Sequence, residues 1–95
     1  MVLIVRGHMI TTIVDSLNMK KKHHKREVFL KRVGARIRKI RKEKGFSQES
    51  LALAAGIDRS YIGGVERGER NIAIINIKRI AEALNTSVHE LMKDI

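Results

Sequence analysis

Gly56 constrains this chain more than any other residue, because two short apolar-periodic stretches meet at it. Before it, Ser47 is placed to cap a helix whose inner face is Leu51, Ala52 and Ala55, and Gly56 supplies the positive φ that ends a helix in a tight turn. After it, Asp58 is placed to cap a second helix. Ile62 and Val65, three apart, point inward there, leaving Arg59, Ser60, Tyr61, Gly63 and Gly64 on the side that meets a partner. Two helices joined this tightly must cross, so residues 47–67 read as a helix-turn-helix with function on its outer side.

A chain of 95 residues suits one small domain and buries roughly 60 to 65% of its unfolded surface, enough for a core without a large pocket. It has no cysteine and no proline. That excludes a disulfide framework or a thiolate metal site and fits a cytoplasmic location. Phe29, Phe46 and Tyr61 are its only aromatic residues, too few for a stacking platform on single-stranded nucleic acid. The formal net charge of +10 calls for a polyanionic partner. Thirteen of the twenty Lys and Arg residues lie between Lys20 and Lys44 against two acids, Glu27 and Glu43, whereas residues 45–95 are close to charge balance. Attraction therefore comes from the approach to the motif, and discrimination from the motif itself.

Residues 1–26 are expected to form an N-terminal arm, distinct from a domain over residues 27–95. The β-branched runs Val2–Val5 and Met9–Val14 flank Arg6-Gly7-His8, a pattern that allows a hairpin, which needs the domain or a second subunit to hold it. The apolar runs are too short to span a membrane. Met19–Arg26 is basic without an apolar period; it reads as a solvated linker ordering near Glu27, or as an arm lying on DNA. His23 and His24 diverge by about 100° on a helix, and neither His8 nor His89 has a reason to join them, so no metal site is expected.

Val28–Lys44 carries the longest helical pattern, with Phe29, Val33, Ile37 and Ile40 on one stripe and basic residues elsewhere. Gly45 ends it, and Phe46 is placed to pack beneath the next cap. Arg41, beside the stripe, reads first as a structural ion-pair partner. Downstream, Gly68 closes the second motif helix, and Ile74–Leu84 forms a fourth with Ile74, Ile77, Ile80, Ala81 and Leu84 inward. A capping box at Ser87 and Glu90 opens a short fifth helix containing Val88, Leu91 and Met92. Ile72, Ile75 and Ile95 fall outside these stripes and, with Met92, suggest a self-association surface.

The strings Val33-Gly-Ala-Arg-Ile-Arg-Lys-Ile-Arg-Lys-Glu-Lys-Gly-Phe-Ser-Gln-Glu-Ser-Leu-Ala and Asp58-Arg-Ser-Tyr-Ile-Gly-Gly-Val-Glu-Arg-Gly-Glu-Arg-Asn71 resemble the Cro and phage-repressor (Xre-like) helix-turn-helix family over about residues 28–93. Within it they look most like controller proteins of restriction–modification systems. The resemblance implies an all-α, five-helix domain whose second motif helix enters the major groove of double-stranded DNA, and a homodimer on a near-palindromic operator. Gln48 matches a phosphate-binding glutamine, and Arg59, Ser60 and Tyr61 match base- and phosphate-facing positions. Arg70 and Asn71 match loop residues that touch backbone, and Arg41 with Glu66 matches a structural ion pair. Gly63-Gly64 departs from the family, where a side chain usually stands in at least one position. Gln48, Arg59, Ser60, Tyr61, Gly63, Gly64, Arg67, Arg70, Asn71, Lys39 and Lys42 make up the expected DNA-binding surface, and the Arg41–Glu66 pair stays out of it.

Other functions weigh less. An antitoxin would bind a protein partner through the hairpin or the C-terminal isoleucines and regulate its own operon. A membrane-surface binder would need the apolar face of Val28–Lys44, which the core claims. No serine has a histidine placed to activate it, and no phosphate loop appears, so neither catalysis nor a cofactor is expected.

Overall fold

A computed structural model describes the backbone at residues 4–5, 8–9 and 11–95, and side chains from Lys20 onward. Five helices follow in the expected order: α1 (Thr11–Glu43), α2 (Gln48–Ala55), α3 (Arg59–Glu66), α4 (Ile74–Ala83) and α5 (Val88–Leu91). Ahead of them β1 (Ile4–Val5) pairs antiparallel with β2 (His8–Met9), Ile4 opposite Met9. The expected turn residues Arg6-Gly7 lie outside the described residues. The second strand expected over Met9–Val14 stops at Met9, because Thr11 already begins α1.

The largest departure from expectation is the reach of α1, which passes through Met19–Arg26 as continuous helix rather than linker. Lysine and arginine are nearly as good helix formers as any residue, and no glycine or proline interrupts residues 11–33. The absence of an apolar period leaves Lys20–Arg26 unburied, not unwound. Its C-terminal end is conventional. Gly45 takes φ 80°, and the Phe46 N–H donates to Arg41 O at 3.0 Å, closing the helix with a left-handed cap.

The core gathers one stripe from each helix: Val33, Ile37 and Ile40 from α1, Leu51, Ala52 and Ala55 from α2, Ile62 and Val65 from α3, Ile77, Ile80 and Ala81 from α4, and Leu91 from α5, with Leu84. Phe46 packs against it, as its place before the cap of α2 required. Two expected core residues are not in it. Phe29 is 48% exposed because the body covers α1 only from Leu30 onward, and Ile74 is 78% exposed because it sits in the first turn of α4, outside the Ile77–Ile80–Ala81 face.

Close helix contact depends on Gly34. A Cβ there would lie against Val65 O and 2.6 Å from Glu66 O, so α1 and the last turn of α3 touch backbone to backbone. Lys31, one turn earlier, lies against Gly68, whose φ of 76° ends α3. At the far end of the body, Arg36 Nη2 donates to Glu90 O at 2.9 Å and fixes α5 to α1. Glu90 Oε1 faces the same guanidinium at 3.4 Å. Ser87 Oγ accepts the Glu90 N–H at 3.0 Å, but the reciprocal half of the expected capping box is not made.

Candidate nucleic-acid interface

In the α2–turn–α3 unit both ends of α2 are capped. Ser47 Oγ accepts from the Ser50 N–H and Ser50 Oγ accepts from the Ser47 N–H, both at 2.9 Å, a reciprocal box using Ser50 as the third helical residue. Gly56 takes φ 67°, and the Ile57 N–H closes onto Ala52 O at 3.0 Å. Asp58 occupies the N-cap of α3 with extended backbone, its carbonyl receiving the Ile62 N–H, but its side chain makes no capping bond. The expected carboxylate cap is thus absent, and the first N–H groups of α3 keep their donors available beside Arg59.

A buried polar cluster locks this unit onto α1. Arg41 Nε donates to Glu66 Oε2 at 2.6 Å, Nη2 to Glu66 Oε1 at 3.0 Å, and Nη1 to Phe46 O at 2.8 Å. The two side chains are 8% and 3% exposed, so the fork is a desolvated, bidentate pair whose third nitrogen donates to backbone. Gln48 Nε2 joins them through Glu66 Oε1 at 3.1 Å. One carboxylate therefore ties together α1, the first residue of α2 and the last of α3. The resemblance implied the Arg41–Glu66 pair but not the third member, since Gln48 and Glu66 lie on different helices that only the turn at Gly56 brings together.

The outer face of α3 presents Arg59 and Ser60, both exposed, at its N-terminal end. Tyr61 is half-buried against the core, and its hydroxyl accepts the Ala73 N–H at 3.4 Å, leaving its own proton free for a phosphate or base. The Arg70 guanidinium lies 5.8 Å from the Tyr61 ring centroid, within cation–π range. Arg67, also exposed, pairs with Glu69 at 3.0 Å; Asn71, Lys39 and Lys42 are exposed.

Gly63 and Gly64, expected on the open side, are buried. The cover comes from long polar side chains rather than from the core. A Cβ at Gly63 would lie 3.1 Å from Arg67 Nη1 and 3.6 Å from Gln48 Oε1, and one at Gly64 would lie 2.9 Å from Arg70 Cγ. Each glycine is thus a seat for an arginine that folds across α3. Sequence periodicity places a residue on a face but does not say which distant side chain lies over it.

Of the residues expected to self-associate, Ile75 is 52% exposed beside the still more exposed Ile74, while Ile72, Met92 and Ile95 are half-buried against the chain's own core. Among the described residues no helix is long and apolar enough to cross a membrane.

Comparison with known proteins points the same way. A family model described as helix-turn-helix matches residues 37–91. The control protein C.MunI of a Mycoplasma species is 40% identical over 65 residues, 67% of this chain and 88% of that protein. The crystal structure of the restriction–modification controller protein C.AhdI from Aeromonas hydrophila superposes with a TM-score of 0.64 at 52% identity, covering 65% of this chain and 94% of that one. The biofilm master regulator SinR, solved in complex with DNA, superposes with a TM-score of 0.61 at 39% identity over 64% of this chain and 98% of its own. On the capped α2–Gly56–α3 unit and on these matches together, the chain belongs to the helix-turn-helix family.

Proposed function

We propose that this chain is a sequence-specific double-stranded DNA-binding transcription regulator of the controller type, acting in the cytoplasm as a homodimer on a near-palindromic operator. The observation that carries the reading is α3 itself. It is an eight-residue helix locked at its base by Arg41–Glu66–Gln48, with Arg59 and Ser60 open at its N-terminal end and Arg67 and Arg70 beside it. Its likeness to controller proteins and to a regulator solved on DNA supports the same reading. Arg59, Ser60 and Tyr61 take the base-facing and nearest phosphate-facing roles, with Arg59 suited to a bidentate contact to guanine. Gln48, Arg67, Arg70, Asn71, Lys39 and Lys42 contact backbone. Two-fold symmetry sets half-site centres about 10 base pairs apart, each recognition helix needing its own groove. Exposed Ile75 and Ile74 give the dimer an apolar contact, rimmed by Ile72 and Met92. No observation favours the antitoxin alternative.

Binding-site selection at fixed salt, followed by fluorescence-anisotropy titration of the selected duplex, tests this reading. Arg59→Ala is expected to weaken binding by about 1 to 3 kcal/mol, roughly 5- to 150-fold, and to relax preference at one position per half-site. Lys39→Ala and Lys42→Ala should weaken all duplexes alike and lower the salt dependence. Unchanged sequence preference in the Arg59 variant would refute the role given to α3.

A further inference from the structure

Every residue from Lys20 to Phe29 is helical and exposed. A helix lying on a body buries one residue in every three or four, yet from Lys20 onward the first half-buried residue of α1 is Leu30 and the first buried one Val33. The segment Lys20–Phe29 thus stands clear of the domain. Between Lys20 and Arg32 it carries seven Lys and Arg residues against the single acid Glu27. None of its side chains from Lys20 to Phe29 joins a hydrogen bond or ion pair among the described residues.

Such a helix is strained electrostatically. Lys21 and Lys25, and Lys22 and Arg26, are like-charged neighbours one turn apart, each pair opposing the helix by a few tenths of a kcal/mol. A polyanion on this surface would remove that repulsion. The cations spread over about two-thirds of the circumference at 100° per residue, without the apolar stripe that an interfacial membrane helix needs; Val28 and Phe29 stand at its root beside Ile95.

Its position selects the polyanion. The helix leaves the body where Lys31 meets Gly68 and Gly34 meets the carbonyls of Val65 and Glu66, at the C-terminal end of the recognition helix α3. With no glycine or proline between Lys20 and Val33, it continues from there as helix for about 21 Å at 1.5 Å per residue. It also precedes residues 37–91, which match the family model.

We infer that the projecting basic half of α1, Lys20–Arg32, is an appended DNA-binding arm that lies along the phosphate backbone flanking the operator and extends the footprint beyond the helix-turn-helix domain. This rests on the DNA-binding function proposed above. The arm reads no bases. It adds affinity and salt dependence, and its helicity rises when phosphates neutralise it.

The test uses the full chain with Lys20→Gln, Lys21→Gln, Lys22→Gln and Lys25→Gln combined, against wild type, on the selected operator either trimmed to its ends or carrying about ten flanking base pairs on each side. On the flanked duplex the slope of log Kobs against log [KCl] should fall by about 2 to 4 in the variant, at about 0.9 per phosphate contact, with affinity in about 0.1 M salt reduced tenfold or more. On the trimmed duplex the two proteins should coincide, and sequence preference should be the same for both. Ellipticity at 222 nm should increase when wild type binds the flanked duplex and not when the variant does. Equal slopes on both duplexes, with operator preference intact, overturn the arm and leave the regulator standing. Loss of sequence preference in wild type itself strikes the regulator reading first. Binding of wild type but not variant to phosphatidylserine vesicles, with DNA slopes equal, overturns the assignment in favour of a membrane surface.

Discussion

Gly34→Ala separates helix propensity from tertiary contact, because the two demand opposite signs. Alanine in a helix interior is favoured over glycine by roughly 0.5 to 1 kcal/mol, and residue 34 lies mid-helix in α1, so propensity alone makes this substitution stabilising. The structure requires the reverse. The new Cβ would sit 2.6 Å from Glu66 O and against Val65 O, where ordinary contact begins near 3.4 Å, and both obstacles are backbone of the last turn of α3. Neither can rotate away as a side chain would. Helices α1 and α3 must then part by about 0.8 Å or more, loosening Val33 and Ile37 against Ile62 and Val65 and stretching the 2.6 Å Arg41–Glu66 bond. Overpacking of this kind costs about 1 to 3 kcal/mol, and a backbone obstacle belongs at the upper end; subtracting the propensity gain leaves a net loss of about 2 kcal/mol. For a domain of this size that lowers Tm by about 8 to 16 °C. Thermal unfolding followed at 222 nm, at one protein concentration because dimerisation shifts apparent stability, measures it. A variant as stable as wild type, or more so, would show that α1 and α3 do not approach this closely.

Two further substitutions probe the same surface. In Gly64→Ala the obstacle is the exposed Arg70 side chain, which can swing aside. Stability should hold or rise by up to about 0.5 kcal/mol while operator affinity drops severalfold as Arg70 leaves the Tyr61 ring; paired denaturation and anisotropy titrations would show this, and unchanged affinity would remove Arg70 from the interface. Glu66→Leu strands the Arg41 guanidinium in the core and should destabilise by about 3 to 5 kcal/mol, whereas Arg41→Met with Glu66→Leu should recover most of the loss in urea unfolding; equal loss in the single and double variants would mean that the ion pair is not the reason.

Much of the fold was legible because its determinants are local. The Ser47 cap, the left-handed turn at Gly56, and the stripes Val33–Ile37–Ile40 and Ile77–Ile80–Ala81 are set by residues within a few positions of one another, and the structure keeps them. The Arg41–Glu66 pair was legible only through resemblance to a known family, since twenty-five residues separate its members. What sequence misjudged follows one rule. An apolar residue periodic with the core, such as Phe29 or Ile74, is buried only if another element reaches it, and a basic stretch without periodicity, such as Lys20–Arg26, is left unburied without being left unfolded.

The sequence by itself determined that two helices meet at Gly56, the first capped by Ser47, that charge is concentrated ahead of them, and that Arg59 and Ser60 fall on the outer side, because capping, φ preference and helical period are properties of neighbouring residues. Only the tertiary structure decided that Gly63 and Gly64 lie beneath Arg67 and Arg70, that Glu66 holds Gln48 as well as Arg41, and that α1 outruns the body it anchors. Those outcomes depend on which way long side chains fold, on which helices are brought together, and on where the core ends.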